Sequence, residues 1–107
     1  YIGLTLEQKF TQLVKTASDR KKIKCLVVVE DLHDLWQQQK GLCAYTKLPL
    51  TSEAHQLNTV SLDRIDSSKD YIVGNIQLVC VPVNRMKLDM TEQQFIEFCQ
   101  LVAQHRK

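Results

Sequence analysis

The chain has 107 residues, 44% of them hydrophobic and 24% charged, with a formal net charge of +2. That suits one globular domain with a modest core and excludes a low-complexity or strongly charged disordered chain. No apolar run reaches bilayer-spanning length and Tyr1–Gln8 lacks a signal-peptide pattern, so no membrane is expected and the setting is read as intracellular.

Thr5 opens a T-x-x-Q capping box with Gln8, and Leu6, Phe10, Leu13, Val14 and Ala17 recur at helical spacing. A first helix is predicted over Thr5–Ser18. Arg20, Lys21, Lys22 and Lys24 follow as a basic connector, and Cys25–Val29 is a short Val-rich run that suits an extended lead-in. Glu30 and Asp31 suit a helix start, Leu32, Leu35 and Trp36 share a face, and Gly41 suits a stop. A second helix is therefore predicted over Glu30–Lys40, making residues 1–41 a helical N-terminal part.

The character then changes. Thr59–Ile65 and Tyr71–Val81 are β-favouring, and Asp66–Asp70 between them is made of turn residues. Pro82 fits the first turn of a short helix over Val83–Leu88. Thr91 and Gln94 form a second capping box, Met90 can staple onto Phe95, and Phe95, Phe98, Cys99 and Val102 give a last helix an apolar face. That helix is predicted over Glu92–Gln104, within a C-terminal segment 91–105. The order helix, helix, strand, strand, helix, helix makes the fold class α+β.

The basic connector has two readings, a solvated loop or a contact for a polyanion, and Arg85 with Lys87 forms a second basic pair. Cys25, Cys43, Cys80 and Cys99 include no CxxC pair, and in an intracellular chain they are expected as thiols rather than disulfides. His33 reads as a satisfied surface or core histidine, His105 as solvated, and Trp36 as core.

Three pieces in the middle of the chain belong together: GLCAYTKLPL, then SLDRID, then GNIQLVCVPVNRMK. Taken in order on strand, loop, strand and helix, they resemble the HNH nuclease family, and within it the small phage- and intron-associated branch. In that family the first strand carries Asp-His, the second Gly-Asn or Asn-Leu, and the helix Asn-x-x-Lys. Asn84 lies nine residues after Asn75, as the third position of the family motif should. The resemblance covers about half the chain.

The resemblance implies a single domain over 1–107 with a ββα-metal core, a two-stranded hairpin plus a short helix, in region 42–88. It implies a metal-dependent DNA endonuclease that hydrolyses phosphodiesters with one Mg²⁺ or Mn²⁺, in the cytoplasm of a bacterial or phage-infected host cell. Asp63 and Asn84 would hold the metal. Asn75 would orient the base, and Lys87 would contact phosphate. With Arg64, these give the catalytic set Asp63, Arg64, Asn75 and Asn84. The DNA contacts would be Arg64, Arg85, Lys87, Arg20, Lys21 and Lys22.

Two departures matter. Position 64 holds arginine where the family has its general-base histidine, and a guanidinium stays protonated and cannot take a proton from water. Three accounts follow: Asp66 or a metal-bound hydroxide serves as base, Arg64 clamps phosphate or stabilises developing charge with slower chemistry, or the domain binds DNA without cutting it. Second, many relatives carry two CxxC knuckles. Here Thr46 and Val83 stand where each second cysteine would be, so structural zinc is not expected and Cys43 and Cys80 should lie close together as core thiols. His55, in the loop before SLDRID, is the histidine with a route toward the site, and Tyr71 packs in the loop leading to the second strand or serves as a catalytic phenol. Besides the endonuclease, two other functions stay open: a DNA-binding module with a degenerate core, and a protein-interaction or inhibitor domain on the same fold. Further domains of a longer protein are compatible with all three.

Overall fold

The first helix, α1 (Leu6–Ser18), forms where its capping box predicts. Thr5 Oγ1 accepts from the Gln8 amide at 3.1 Å and Gln8 Oε1 accepts from the Thr5 amide at 2.9 Å. The computed structural model describes residues 3–106; the outer bounds expected for the domain, Tyr1 and Lys107, lie outside the described residues. The second helix, α2 (Val29–Gln39), starts one residue earlier than predicted, because Asp31 Oδ2 accepts from the Val28 amide at 2.9 Å and so caps the first turn. It stops because Lys40 (φ 56°) and Gly41 (φ 70°) both turn left-handed. A side chain at Gly41 would place its Cβ 3.1 Å from the Trp36 ring, so glycine alone closes this turn against the indole.

Strands β1 (Val60–Arg64) and β2 (Ile76–Cys80) form an antiparallel hairpin, with Val60 opposite Cys80 and Arg64 opposite Ile76. The second strand is shorter than its β-favouring sequence predicts. Tyr71 pairs instead with Cys25 of the connector, and the Asn75 amide donates to the Ile72 carbonyl (2.9 Å) to close a turn at Gly74 (φ 94°). A backbone pairing distant in sequence thus takes Tyr71 out of the hairpin. Helix α3 (Val81–Lys87) follows β2 directly, two residues earlier than predicted, with Pro82 in its first turn. Helix α4 (Glu92–His105) carries the second capping box, with Thr91 as cap.

Helix α1 packs on α2, α2 on β2, α3 across both strands, and α4 on α3. Phe10, Leu32, Val60, Leu78, Val79 and Cys43 are fully enclosed at the centre. The Gln39 side chain sets α2 against the sheet as a strand would: its Nε2 donates to the Leu78 carbonyl (2.9 Å) and its Oε1 accepts from the Leu78 amide (3.0 Å). The result is an α+β fold of four helices and one hairpin among the described residues, with no helix long and apolar enough to cross a membrane.

Candidate functional site

Strand β1 ends in Leu62, Asp63 and Arg64, and α3 crosses it so that Asn84 comes alongside. Asn84 Nδ2 donates to Ser61 Oγ at 2.6 Å and to the Leu62 carbonyl at 3.3 Å. Among the described residues its Oδ1 accepts no hydrogen bond, so that oxygen is uncommitted. Asp63, Arg64 and Asn84 line one cleft of about 210 Å³ together with Arg20, Tyr71 and Asp89. Three of the four residues expected to be catalytic thus share a wall.

Asn75 does not line the cleft but sits behind it, buried. Its Oδ1 accepts from the Asp66 amide (2.9 Å), and its Nδ2 donates to the carbonyls of Asp66 (3.1 Å) and Asp70 (3.0 Å). One side chain therefore pins both ends of the 66–70 turn. Arg64 is bound within the same turn: its guanidinium donates to the carbonyls of Ser67 (2.7 Å) and Lys69 (2.9 Å) and lies 5.3 Å from the centre of the Tyr71 ring.

Lys87 takes a place the sequence does not foretell. It is 1% exposed, and its ammonium reaches both Asp63 oxygens at 3.1 and 3.0 Å, the Arg64 carbonyl at 2.7 Å and the Ile65 carbonyl at 3.3 Å. Gln77 Nε2 adds a bond to Asp63 Oδ2 at 2.9 Å. The lysine expected to meet phosphate lies beneath the cleft, enclosed by oxygens. A buried ion pair of this kind persists because every remaining polar atom around it is hydrogen-bonded, and among the described residues no buried side-chain N or O lacks a partner.

Arg20 arrives from the end of α1 and donates to the Tyr71 hydroxyl at 3.0 Å. Tyr71 is thus held between two guanidiniums. The basic connector is fastened here by backbone bonds, Leu26 amide to Tyr71 carbonyl (2.8 Å) and Tyr71 amide to Lys24 carbonyl (3.0 Å). Arg20, Lys21, Lys22 and Lys24 are all exposed, and of the four Arg20 lines the cleft. Arg85, one position after Asn84, is exposed and lines a different cleft on the other flank of α3, together with His55. Of the other histidines, His33 bonds Glu7 on the surface, and His105 is exposed at the end of α4.

The carboxylate expected as a proton acceptor is poorly placed. Ser68 donates to Asp66 from its hydroxyl (2.6 Å) and its amide (2.9 Å) and holds that carboxyl below the ordinary carboxylate range, and Asp66 does not line the cleft. Burial pushes the Tyr45 phenol well up, and its hydroxyl is bound to Glu92 at 3.0 Å. Cys43 and Cys80 are buried neighbours, as expected. Burial pushes the Cys43 thiol up, but hydrogen bonds from the Thr46 side chain and the backbone around it win and lower it; burial leaves the Cys80 thiol raised.

For a divalent cation the donors are right in kind. A carboxylate and an amide oxygen are the hard ligands Mg²⁺ and Mn²⁺ take. The charge of Asp63 is already balanced by Lys87, so an ion has to compete with the ammonium for that carboxylate. Among the described residues no three His, Cys, Asp or Glu side chains cluster as a metal-binding group. The Lys87 position, and the sharing of one cleft by Arg20 and Arg64, were out of reach of sequence reading. Lysine is among the least often buried residues, and no local spacing rule links residues 20 and 64. No family description, curated protein or solved structure matches this chain.

Proposed function

We propose that this is a DNA-acting domain with an HNH-type ββα core, whose cleft between β1 and α3 receives a backbone phosphate for hydrolysis. The observation behind it is the meeting of Asp63 and Asn84 in one cleft that also holds Arg20 and Arg64. Asp63 and the Asn84 amide oxygen would hold one Mg²⁺ or Mn²⁺, which as a Lewis acid polarises a phosphoryl oxygen and stabilises the leaving group. Arg20, with donors to spare, supplies positive charge at the mouth, and charge-assisted bonds from guanidinium to phosphate are among the strongest available. Arg64 holds the 66–70 turn in shape and does not act as a base. Asn75 is a positioning residue that keeps that turn, and with it the Arg64 and Ile65 carbonyls, around Lys87.

One observation favours a second reading, a module that binds DNA without cutting it. The Lys87 ammonium already fills the place beside Asp63, and the position next to Asp63 carries no proton acceptor. A single assay separates the two. Supercoiled plasmid is incubated with the chain in Mg²⁺ or Mn²⁺. The nuclease reading expects nicking that EDTA stops and Asp63→Ala abolishes. Cleavage that persists in EDTA would sink it. An inert but DNA-binding wild type that gains metal-dependent nicking on Arg64→His establishes the binding-only reading. No affinity for DNA even at low salt removes both and leaves a protein-interaction domain.

A further inference from the structure

The cleft on the far flank of α3 is the larger one, about 480 Å³, and none of its nine lining residues is acidic. Lys9 enters it from α1, His55 and Gln56 from the loop before β1, and Arg85 from α3. Lys9 and Arg85 have no ion-pair or side-chain hydrogen-bond partner among the described residues. The acid nearest in sequence to Lys9 is Glu7, whose carboxylate is taken by His33. Two cations therefore face one hollow whose lining holds no counter-charge.

The hollow has a built wall. Ser52 Oγ donates to the Leu4 carbonyl at 2.6 Å and anchors the loop to the start of α1. Thr59 ties the loop to itself: its Oγ1 donates to the Glu53 carbonyl (2.7 Å) and accepts from the Gln56 amide (2.9 Å). His55 is held at φ 62°, a left-handed conformation uncommon for a non-glycine residue. The imidazole is thus presented by a fixed loop. Consecutive helical residues point about 100° apart, so Asn84 and Arg85 send α3's side chains into the two clefts on either flank. Lys9 and Arg20, the α1-side cations of the two clefts, stand eleven positions apart in sequence.

We infer that the Lys9–His55–Arg85 cleft is a second backbone-phosphate subsite for duplex DNA, beside the Asp63–Asn84 cleft. Lys9 and Arg85 neutralise phosphate, and His55 and Gln56 offer hydrogen bonds to phosphate or sugar oxygens. The inference rests on the reading that the domain engages DNA, but it fails separately from it. The test is anisotropy titration of the full chain with a labelled duplex long enough to cover both clefts, between about 50 and 200 mM salt. Lys9→Ala/Arg85→Ala is expected to weaken binding at least tenfold at the low end. It should also reduce the slope of log K against log salt by about two, roughly one for each phosphate no longer neutralised. Arg85→Glu alone should weaken binding further than Arg85→Ala. Lys15→Ala, whose ammonium is paired with Asp19 and lines neither cleft, should leave the slope as it is. A wild type that binds with a salt slope the double variant shares overturns the subsite and leaves the Asp63 cleft untouched. A wild type with no salt-dependent affinity for duplex DNA overturns the underlying reading and the subsite with it.

Discussion

Two clefts share α3 as a common wall and differ in how their charges are met. On the Asp63 side the lining carries two guanidiniums and two carboxylates, and three of these four ionic groups are already engaged: Asp63 with Lys87 and Gln77, Arg64 with loop carbonyls, Arg20 with Tyr71. On the Arg85 side the lining carries two cations, no acid, and no internal partner for either among the described residues. The first arrangement is bound into the fold, since removing one member strands another. The second adds little to folding, and its charge is available to a ligand. A site resembling a catalytic motif can thus be the more self-satisfied surface, while the stronger electrostatic pull lies beside it.

This contrast can be broken most sharply at Lys87. Lys87→Met leaves the Asp63 carboxylate buried without its counter-charge, and one-sided loss of a buried pair costs about 3–5 kcal/mol. Urea unfolding should show that loss, and adding Asp63→Asn should return part of it. A single variant within about 1 kcal/mol of wild type would mean the cleft is not internally neutralised. Next comes Asn75→Ala. It removes three hydrogen bonds from the 66–70 turn, and at roughly 1 kcal/mol each the loss should be about 2–3 kcal/mol. Amide exchange should quicken at Asp66 and leave α1 unchanged. The smallest effect is expected on the other flank. Lys9→Ala and Arg85→Ala should each stay within about 0.5 kcal/mol of wild-type stability, as surface changes away from caps and pairs do. A larger loss at either would show that this cleft, too, is held by internal partners.

Much of the fold is legible in the sequence, for reasons tied to short range. The capping boxes at Thr5 and Thr91 bond residues three apart, so the starts of α1 and α4 are written locally. The hairpin is legible from its β-branched runs and the polar turn between them. The start of β2 is not, because Tyr71's pairing partner is Cys25, far away in the chain. His55, whose place in the sequence suggests a route toward the Asp63 site, lines the opposite flank instead. Nothing in the local composition of its loop says which side of α3 the loop will lie on.

By itself the sequence determined the four helices to within a residue or two, the capping boxes of α1 and α4, the hairpin, and the fact that position 64 holds a guanidinium rather than an imidazole. Each of these depends on neighbours within a turn or two, or on residue identity alone. Tertiary structure alone decided that Lys87 turns inward to Asp63, that Arg20 reaches Tyr71 across 51 positions, and that Lys9, His55 and Arg85 share one hollow. Such pairings depend on how α1, the loop before β1 and α3 pack around the hairpin. Coulomb energy and desolvation are set by that packing and not by distance along the chain.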